Sequence, residues 1–312
     1  MAKIIIAGSL NMDLAVRAER IPAAGETILG GELLQSPGGK GANQACAAAK
    51  LGSSVAMLGC VGEDDFGRAM RKNLADAGCD VSRISVRAGA SGVALICVSA
   101  RGENAIVVAS GANMKFQPED IQANLDCFDG ATAMLLQLES PMETVIAAAK
   151  AARERGVTVI LDPAPAPHDG IPAELLQLVD ILTPNETEAA ILTRTSPEKM
   201  TPDRVLALAA SLRNLGPRNV ILKLGARGCF LHGADESVFI PSPKVDAVDT
   251  TAAGDVFNGA LAVGLSEGKA PQDACWFASQ AAALSVTRRG AQNSVPSRVE
   301  LDRFISGISG LT

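Results

Sequence analysis

Tyrosine is absent from this 312-residue chain, tryptophan occurs once, and aromatic residues make up only 3% of it. A site that must stack a flat nucleobase as its acceptor substrate would favour an aromatic platform, so a nucleoside acceptor fits poorly. Histidine occurs only at His168 and His232, and the cysteines at Cys46, Cys60, Cys79, Cys97, Cys127, Cys229 and Cys275 include no C-x-x-C pair. A zinc centre is therefore unexpected. An odd, scattered set of thiols, several inside apolar stretches such as Ala94–Val98, fits reduced core packing better than a disulfide framework. No run reaches the roughly 18–20 apolar residues of a membrane span. The Ile4–Ala7 run is closed at once by Gly8 and Ser9, too short for a signal-peptide core. Excess positive charge is also missing. A formal net charge of -6 argues against broad contact with nucleic acid or an anionic membrane. Any phosphate site must be local, and the expected location is cytoplasmic.

What the chain does contain is 47% hydrophobic and 20% charged residues, enough for one large core or two modest domains. Residues 1–312 are read as a single domain. Lys3–Ala7, Val55–Leu58, Ala133–Leu136, Val157–Leu161, Asp180–Leu182 and Val220–Leu224 are short, near-continuous apolar runs, as expected of strands covered on both faces. Helical patterns over Gly41–Leu51, Phe66–Ala77, Met142–Arg155, Glu186–Leu192, Asp203–Leu215 and Ala253–Val286 separate most of them, the last broken near Gly268–Pro271. Strand, helix, strand in this order predicts an α/β fold with a central, mostly parallel sheet and helices on both faces. Two stretches, about 13–34 and 92–109, have no following helix, and the second turns at Arg101–Asn104 like a hairpin. They are expected to form a small antiparallel sheet set over the carboxyl ends of the parallel strands, or else ordinary edge strands.

Several segments bring chemistry to strand ends and helix starts. Ser36-Pro-Gly-Gly-Lys-Gly-Ala-Asn-Gln44 opens a helix where glycines admit a ligand to unpaired N–H groups. Its lysine is followed by Gly41 rather than Ser or Thr, so it is not a Walker A loop. Asp249-Thr-Thr-Ala-Ala-Gly-Asp255 opens a second helix crowded with small residues, a place to hold phosphoryl charge on backbone donors and the helix dipole. Asp255 there is either a general base or simply a dipole partner. Thr183-Pro-Asn-Glu-Thr-Glu188 sets Asn185 and Glu188 three residues apart, which suits a water-mediated magnesium site or a capping box. Lys223-Leu-Gly-Ala-Arg-Gly228 ends a strand in a glycine turn, open to a nucleotide or merely a β-turn. Glu139, in Gln137-Leu-Glu-Ser-Pro141, stands past a buried strand and either binds a hydroxyl or caps the next helix.

Taken together with Asn11-Met-Asp13 and Arg288-Arg-Gly-Ala-Gln-Asn-Ser-Val-Pro296, these motifs resemble the ribokinase-like (PfkB-type) carbohydrate kinases over nearly the whole chain. The resemblance implies ATP-dependent phosphorylation of a small sugar, foremost D-ribose at O5, with deoxyribose or another small sugar as the alternative. It implies that Asn11, Asp13, Gly39, Lys40, Asn43 and Glu139 hold the sugar, that Asp255 is the base at its primary hydroxyl, and that Ala252, Ala253 and Gly254 form the anion hole. Asn185, Lys223, Gly225, Gly228, Gly254 and Ser279 would contact ATP. Glu188 with Asn185 would organise Mg2+, and Asp249, Thr251, Ser285, Arg288, Gly290 and Ser294 would surround a monovalent cation, K+. The two helix-less stretches would form a β lid that pairs with a second subunit as a homodimer. Around the nucleotide, Lys223 stands where some members have threonine, although a lysine there is familiar across the wider family, Asp162 replaces an asparagine, and Ser279 sits where a histidine can flank the adenine. Two other classes fit less well. Gly8-Ser-Leu after the first strand lacks the G-x-G-x-x-G spacing of a nicotinamide site. A silent sugar sensor would be expected to have lost the base or the anion hole.

Overall fold

The computed structural model describes residues 3–196, 200–234 and 236–309, and the rest of the 1–312 unit lies outside them. The chain begins with β1 (Lys3–Ala7), β2 (Asn11–Arg17), β3 (Leu33–Gly38), α1 (Lys40–Lys50), β4 (Ser54–Gly62) and α2 (Asp65–Asp76). β5 (Cys79–Asp80), β6 (Ile84–Arg87), β7 (Gly92–Val98), β8 (Asn104–Ala109), α3 (Pro118–Gln122), β9 (Ala131–Leu136) and α4 (Met142–Glu154) follow. Next come β10 (Thr158–Leu161), α5 (Ala173–Leu176), β11 (Ile181–Leu182), α6 (Glu186–Leu192), α7 (Pro202–Arg213) and β12 (Asn219–Lys223). β13 (Gly228–His232), β14 (Ser237–Pro241), α8 (Ala253–Ser266), α9 (Pro271–Ser285) and α10 (Arg298–Ser309) complete the fold.

The main sheet runs β14-β13-β12-β11-β10-β9-β1-β4-β5, with β6 also on β4. From β12 through β5 every pairing is parallel, while β13 and β14 add an antiparallel edge. The strands are apolar throughout because each face has its own core. Ile4 and Ile6 of β1 pack with α1, α8 and α9 residues, whereas Ile5 and Ala7 pack with Val145, Ala148 and Ala149 of α4. β10 does the same, with Ile160 on the first side and Val159 and Leu161 on the other. Such double coverage leaves no polar face to alternate with. The chain leaves β1 for β4 on one side and returns to β9 on the other, so the order reverses between β1 and β9. A crevice opens beyond the carboxyl ends of strands at such a reversal.

The helix-less stretches form a separate four-stranded sheet, ordered β3-β2-β7-β8. The expectation of an antiparallel sheet holds for its outer pairs only, because β2 and β7 at its centre run parallel. Each hairpin closes on itself, and the two then join side by side through strands of like direction. The turn expected at Arg101–Asn104 is present, with Ser99 N–H bonded to Glu103 O at 2.8 Å.

Candidate active site

The strand ends deliver the polar side chains. Gly8 and Ser9 follow β1, Gln137 and Glu139 follow β9, Asp162 follows β10, Asn185 follows β11, and Lys223 closes β12. Across the β1/β9 reversal, Ser9 Oγ donates to Glu139 Oε2 at 2.5 Å, and Lys40 N–H reaches the same oxygen at 3.4 Å. Glu139 thus sits at the start of α1 while belonging to another strand. The join of β3 to α1 depends on Gly39, at φ 90°, where a Cβ would stand 2.6 Å from Asn11 N. Only glycine allows β2 and the helix start to lie so close. A Cβ on Gly38 would likewise strike the Asp13 carboxylate, with an oxygen 2.3 Å away.

Asp255 lies buried in the first turn of α8. Its Oδ2 accepts from Asn43 Nδ2 at 2.9 Å and its Oδ1 from Gln44 Nε2 at 3.1 Å. Burial pushes its pKa up to about 6, against the pull of Lys40 and those two amide donors and with a further push from Asp162. Asp13, facing Glu139 and Asp255, is also raised by burial and by both neighbours, to about 6. Burial alone would lower the Lys40 ammonium, but Asp255, Asp162, Glu139 and Glu188 outweigh it and raise its pKa. The site is a lysine held among carboxylates, a polar ring suited to hydroxyl groups.

Just before α8 the backbone takes an uncommon turn. Ala252, the helix N-cap, has φ 58° and ψ 12°, a left-handed conformation that costs a non-glycine residue roughly 1–2 kcal/mol. Ala253 N–H bonds back to Thr250 O and Val256 N–H to Ala252 O. The N–H groups of Gly254 and Asp255 have no such partner among the described residues. Strain held at a helix start with free donors is the arrangement of an anion hole. Behind it lies a cavity of about 490 Å³ lined by Lys223, Gly225, Gly228, Gly254 and Ser279, together with Lys244, Phe257, Ala282 and Val286. Five of the six residues expected at the nucleotide therefore share one wall. The sixth, Asn185, pairs with Lys223 through a parallel β-bridge.

Asn185 and Glu188 form a reciprocal capping box at α6, each side chain accepting the other's backbone N–H at 2.8 Å. One Glu188 oxygen is spent on the cap. Burial raises its pKa despite the nearness of Lys223. Asp249 binds Thr251 through N–H at 3.0 Å and Oγ1 at 2.7 Å, and Gly290 N–H at 2.9 Å. Burial works against its charge, yet the bonds from Gly290 and Thr251 hold its pKa below the usual value. The structure directs the other members of that set elsewhere: Arg288 pairs with Glu300 at 2.8 Å, while Ser285 and Ser294 hydroxyls donate to Ala282 O and Ala291 O. Among the described residues no cluster of three or more His, Cys, Asp or Glu side chains is arranged to hold a metal ion.

Four residues that motif reading left unassigned shape the site. Asn113 clamps the loop between β1 and β2, donating to Asn11 Oδ1 at 2.7 Å and accepting from Leu10 N–H at 2.9 Å. Gln292 donates to Asn43 Oδ1 at 3.1 Å. Gln44 and Gln137 stand within segments already singled out, but nothing in the spacing says that they touch each other.

Residues 1–298 match the pfkB family of carbohydrate kinases. The chain is 40% identical over 303 residues to the ribokinase of Haemophilus influenzae, covering 97% of this chain and 98% of that one. It is 41% identical to the ribokinase of Bacillus subtilis, covering 98% and 100%. Among solved structures, the ribokinase of Arabidopsis thaliana in complex with ribose and ATP superposes with a TM-score of 0.90 at 38% identity, covering 98% and 99%.

Proposed function

The chain belongs to the pfkB family of carbohydrate kinases, and from that premise we propose that it transfers the γ-phosphoryl group of ATP to O5 of D-ribose, releasing D-ribose 5-phosphate and ADP. The observation that carries this reading is the placing of a buried carboxylate, Asp255, beside free N–H groups at a strained helix start, between a polar ring and a cavity. Asn11, Asp13, Gly39, Lys40, Asn43 and Glu139 hold the sugar hydroxyls and leave the primary one against Asp255. With a pKa of about 6, Asp255 is ionised at neutral pH and accepts that hydroxyl's proton as the oxygen attacks phosphorus. In the Ala252–Asp255 turn, the free N–H groups of Gly254 and Asp255 hold the charge that develops on the transferring group, while Ala252 sets the turn and Ala253 N–H ties it to Thr250 O. Lys223 and the glycines 225 and 228 take the nucleotide, with Ser279 at the cavity wall.

Magnesium, when bound with ATP, neutralises phosphate charge. The uncapped oxygen of Glu188 suits a role as acceptor from its waters, with Asn185 holding Glu188 in place through the reciprocal cap and its Oδ1 keeping a second lone pair. For potassium, the ionised Asp249 carboxylate and backbone carbonyls of the 285–294 segment are the fitting donors, and the Ser285 and Ser294 hydroxyls, which donate to their own backbone, keep lone pairs beside them. The four-stranded sheet is read as a lid. Asn11 and Asp13 lie in its β2, and exposed Leu33, Leu34, Leu95, Ile106, Val107 and Val108 call for cover by a second copy as a homodimer. No helix among the described residues is long and apolar enough to cross a membrane, and a cytoplasmic location is proposed on the reduced thiols.

A panel of sugars assayed with magnesium and ATP tests the substrate. D-ribose is expected to exceed xylose, arabinose and fructose in kcat/KM by about a hundredfold or more, since a site built on hydrogen bonds rejects analogues that leave its groups unpaired. Preference for 2-deoxyribose would move the reading to that sugar, and equal turnover of hexoses would sink it.

A further inference from the structure

We infer that Asp162 and Gln44 are positioning residues that tie Lys223, on the nucleotide side, to Asp255, on the sugar side, through one unbroken chain of hydrogen-bonded side chains. The inference rests on the reading of Asp255 as the base. Its geometry starts with a donor whose direction is fixed. Gln44 faces two carboxylates, which accept and do not donate, so its amide presents the NH2 group to them and turns Oε1 to Gln137 Nε2, at 2.6 Å. Gln44 Nε2 has two protons and meets Asp255 Oδ1 at 3.1 Å and Asp162 Oδ2 at 3.0 Å. The remaining Asp162 oxygen takes Lys223 Nζ at 2.9 Å. Asp162 is 2% exposed, and its pair with Lys223 is shielded at both ends.

A buried ion pair of this kind adds little stability for its cost in desolvation, so its value lies in orientation. Lys223 has three donor protons, and one is spent on Asp162. The ammonium is thereby anchored toward the anion hole, where a Cβ on Gly254 would stand 3.5 Å from Nζ. Two protons stay free for phosphate oxygens. On the other arm, Gln44 fixes the Asp255 carboxylate in its plane and shares it with a second negative charge. The groups facing Asp255 are Lys40 of α1, Asp162 after β10 and Asp13 of β2. Those facing Asp162 include Lys223 of β12, Lys40 and Glu188 of α6. Removing the Asp162 charge therefore acts on both ends of the chain at once, releasing the lysine and making the base easier to ionise.

Asp162→Asn keeps the volume and tests this in the intact enzyme. The expected result has three parts. kcat falls about tenfold, because the lysine is no longer aligned with the transferring group, while KM for ATP does not rise, because the freed ammonium still attracts polyphosphate. The acid limb of kcat/KM moves to lower pH by about half a unit or more. A merely structural role would not move that limb. Should the single variant fold poorly with an unpaired lysine, Asp162→Asn combined with Lys223→Met removes both charges, and its limb must move in the same direction. An unmoved limb, a kcat within about twofold of the parent, or a raised KM for ATP overturns the inference. Asp255→Asn measured alongside separates the premise from the inference. If it retains turnover, the base reading itself fails; if it loses turnover while the limb of the Asp162 variant stays put, only the coupling fails.

Discussion

Asp255 and Asp13 are both carboxylates pushed up to about 6 by burial, and each shift has its own measurable consequence. Asp255 must be ionised to accept a proton, so kcat/KM is expected to decline on the acid side of about pH 6 and to level off above it, as a pH profile would record. Asp255→Asn removes the proton acceptor and little volume, and is expected to lower kcat by about 10²–10⁴ with sugar and ATP binding largely kept, by calorimetry. Asp13 offers a stability test. Its folded pKa stands above the value of 3.8 that it has in the unfolded chain, so its favourable contribution is complete below 3.8 and is lost as pH rises through about 6. Asp13→Asn is accordingly expected to melt at a higher temperature than the parent at pH 8. The difference should close as pH falls below 6, and sugar affinity should drop at all pH values. A variant less stable than the parent at pH 8 would contradict that sign. Much at this scale was legible in the sequence, because Asn11, Asp13, Lys40, Asn43, Glu139 and Asp255 fall in short motifs at strand ends and helix starts. Asn113, Gln292 and the Gln137–Gln44–Asp162 contacts were not, since partners more than ninety residues apart leave no local pattern.

At the scale of elements, the glycines between β3 and α1 bear on stability and function together. Gly39→Ala sets a side chain at φ 90° against Asn11 N, which is expected to cost about 2 kcal/mol or more in urea unfolding and to weaken sugar binding. Stability within error of the parent would show that the junction has slack. The sequence marked these elements well where their apolar runs are continuous, as in β1, β9 and β10, whose two faces are both buried. It marked the break between α8 and α9 at Gly268–Pro271 through glycine and proline chemistry. It did not show that β2 and β7 run parallel, because residue alternation is the same whichever way a neighbour points. Nor did it reveal the antiparallel edge of β13 and β14, whose pairing is decided by the short turn between them.

For the whole molecule, the uncovered apolar side chains of the small sheet lie on both of its faces. Leu95 and Val107 are register partners on one, and Ile106 and Val108 stand on the other. The parent is expected to have the mass of a dimer by light scattering. Paired lysine substitutions, Leu95→Lys with Val107→Lys or Ile106→Lys with Val108→Lys, should halve it for at least one pair; a monomeric parent, or a dimer indifferent to both, would remove the lid-pairing reading. Exchange of potassium for sodium is expected to lower kcat severalfold if Asp249 and its neighbouring carbonyls hold a monovalent cation, and equal rates in both salts would count against that site. The outline of the fold was readable from the order of strands and helices. The homodimer expected through the lid came from the family resemblance alone, since one chain's pattern is silent about what covers an exposed sheet.

The junction at Gly38 and Gly39 has a mechanical consequence. β3 ends at Gly38 and α1 starts at Lys40, so a single residue links the small sheet to the helix that bears Lys40 and Asn43. There is no slack chain to absorb a rotation. A tilt of the sheet would be geared directly to the first turn of that helix, so under the proposed lid reading the grip on the sugar and the shutting-out of water become one movement about a one-residue pivot.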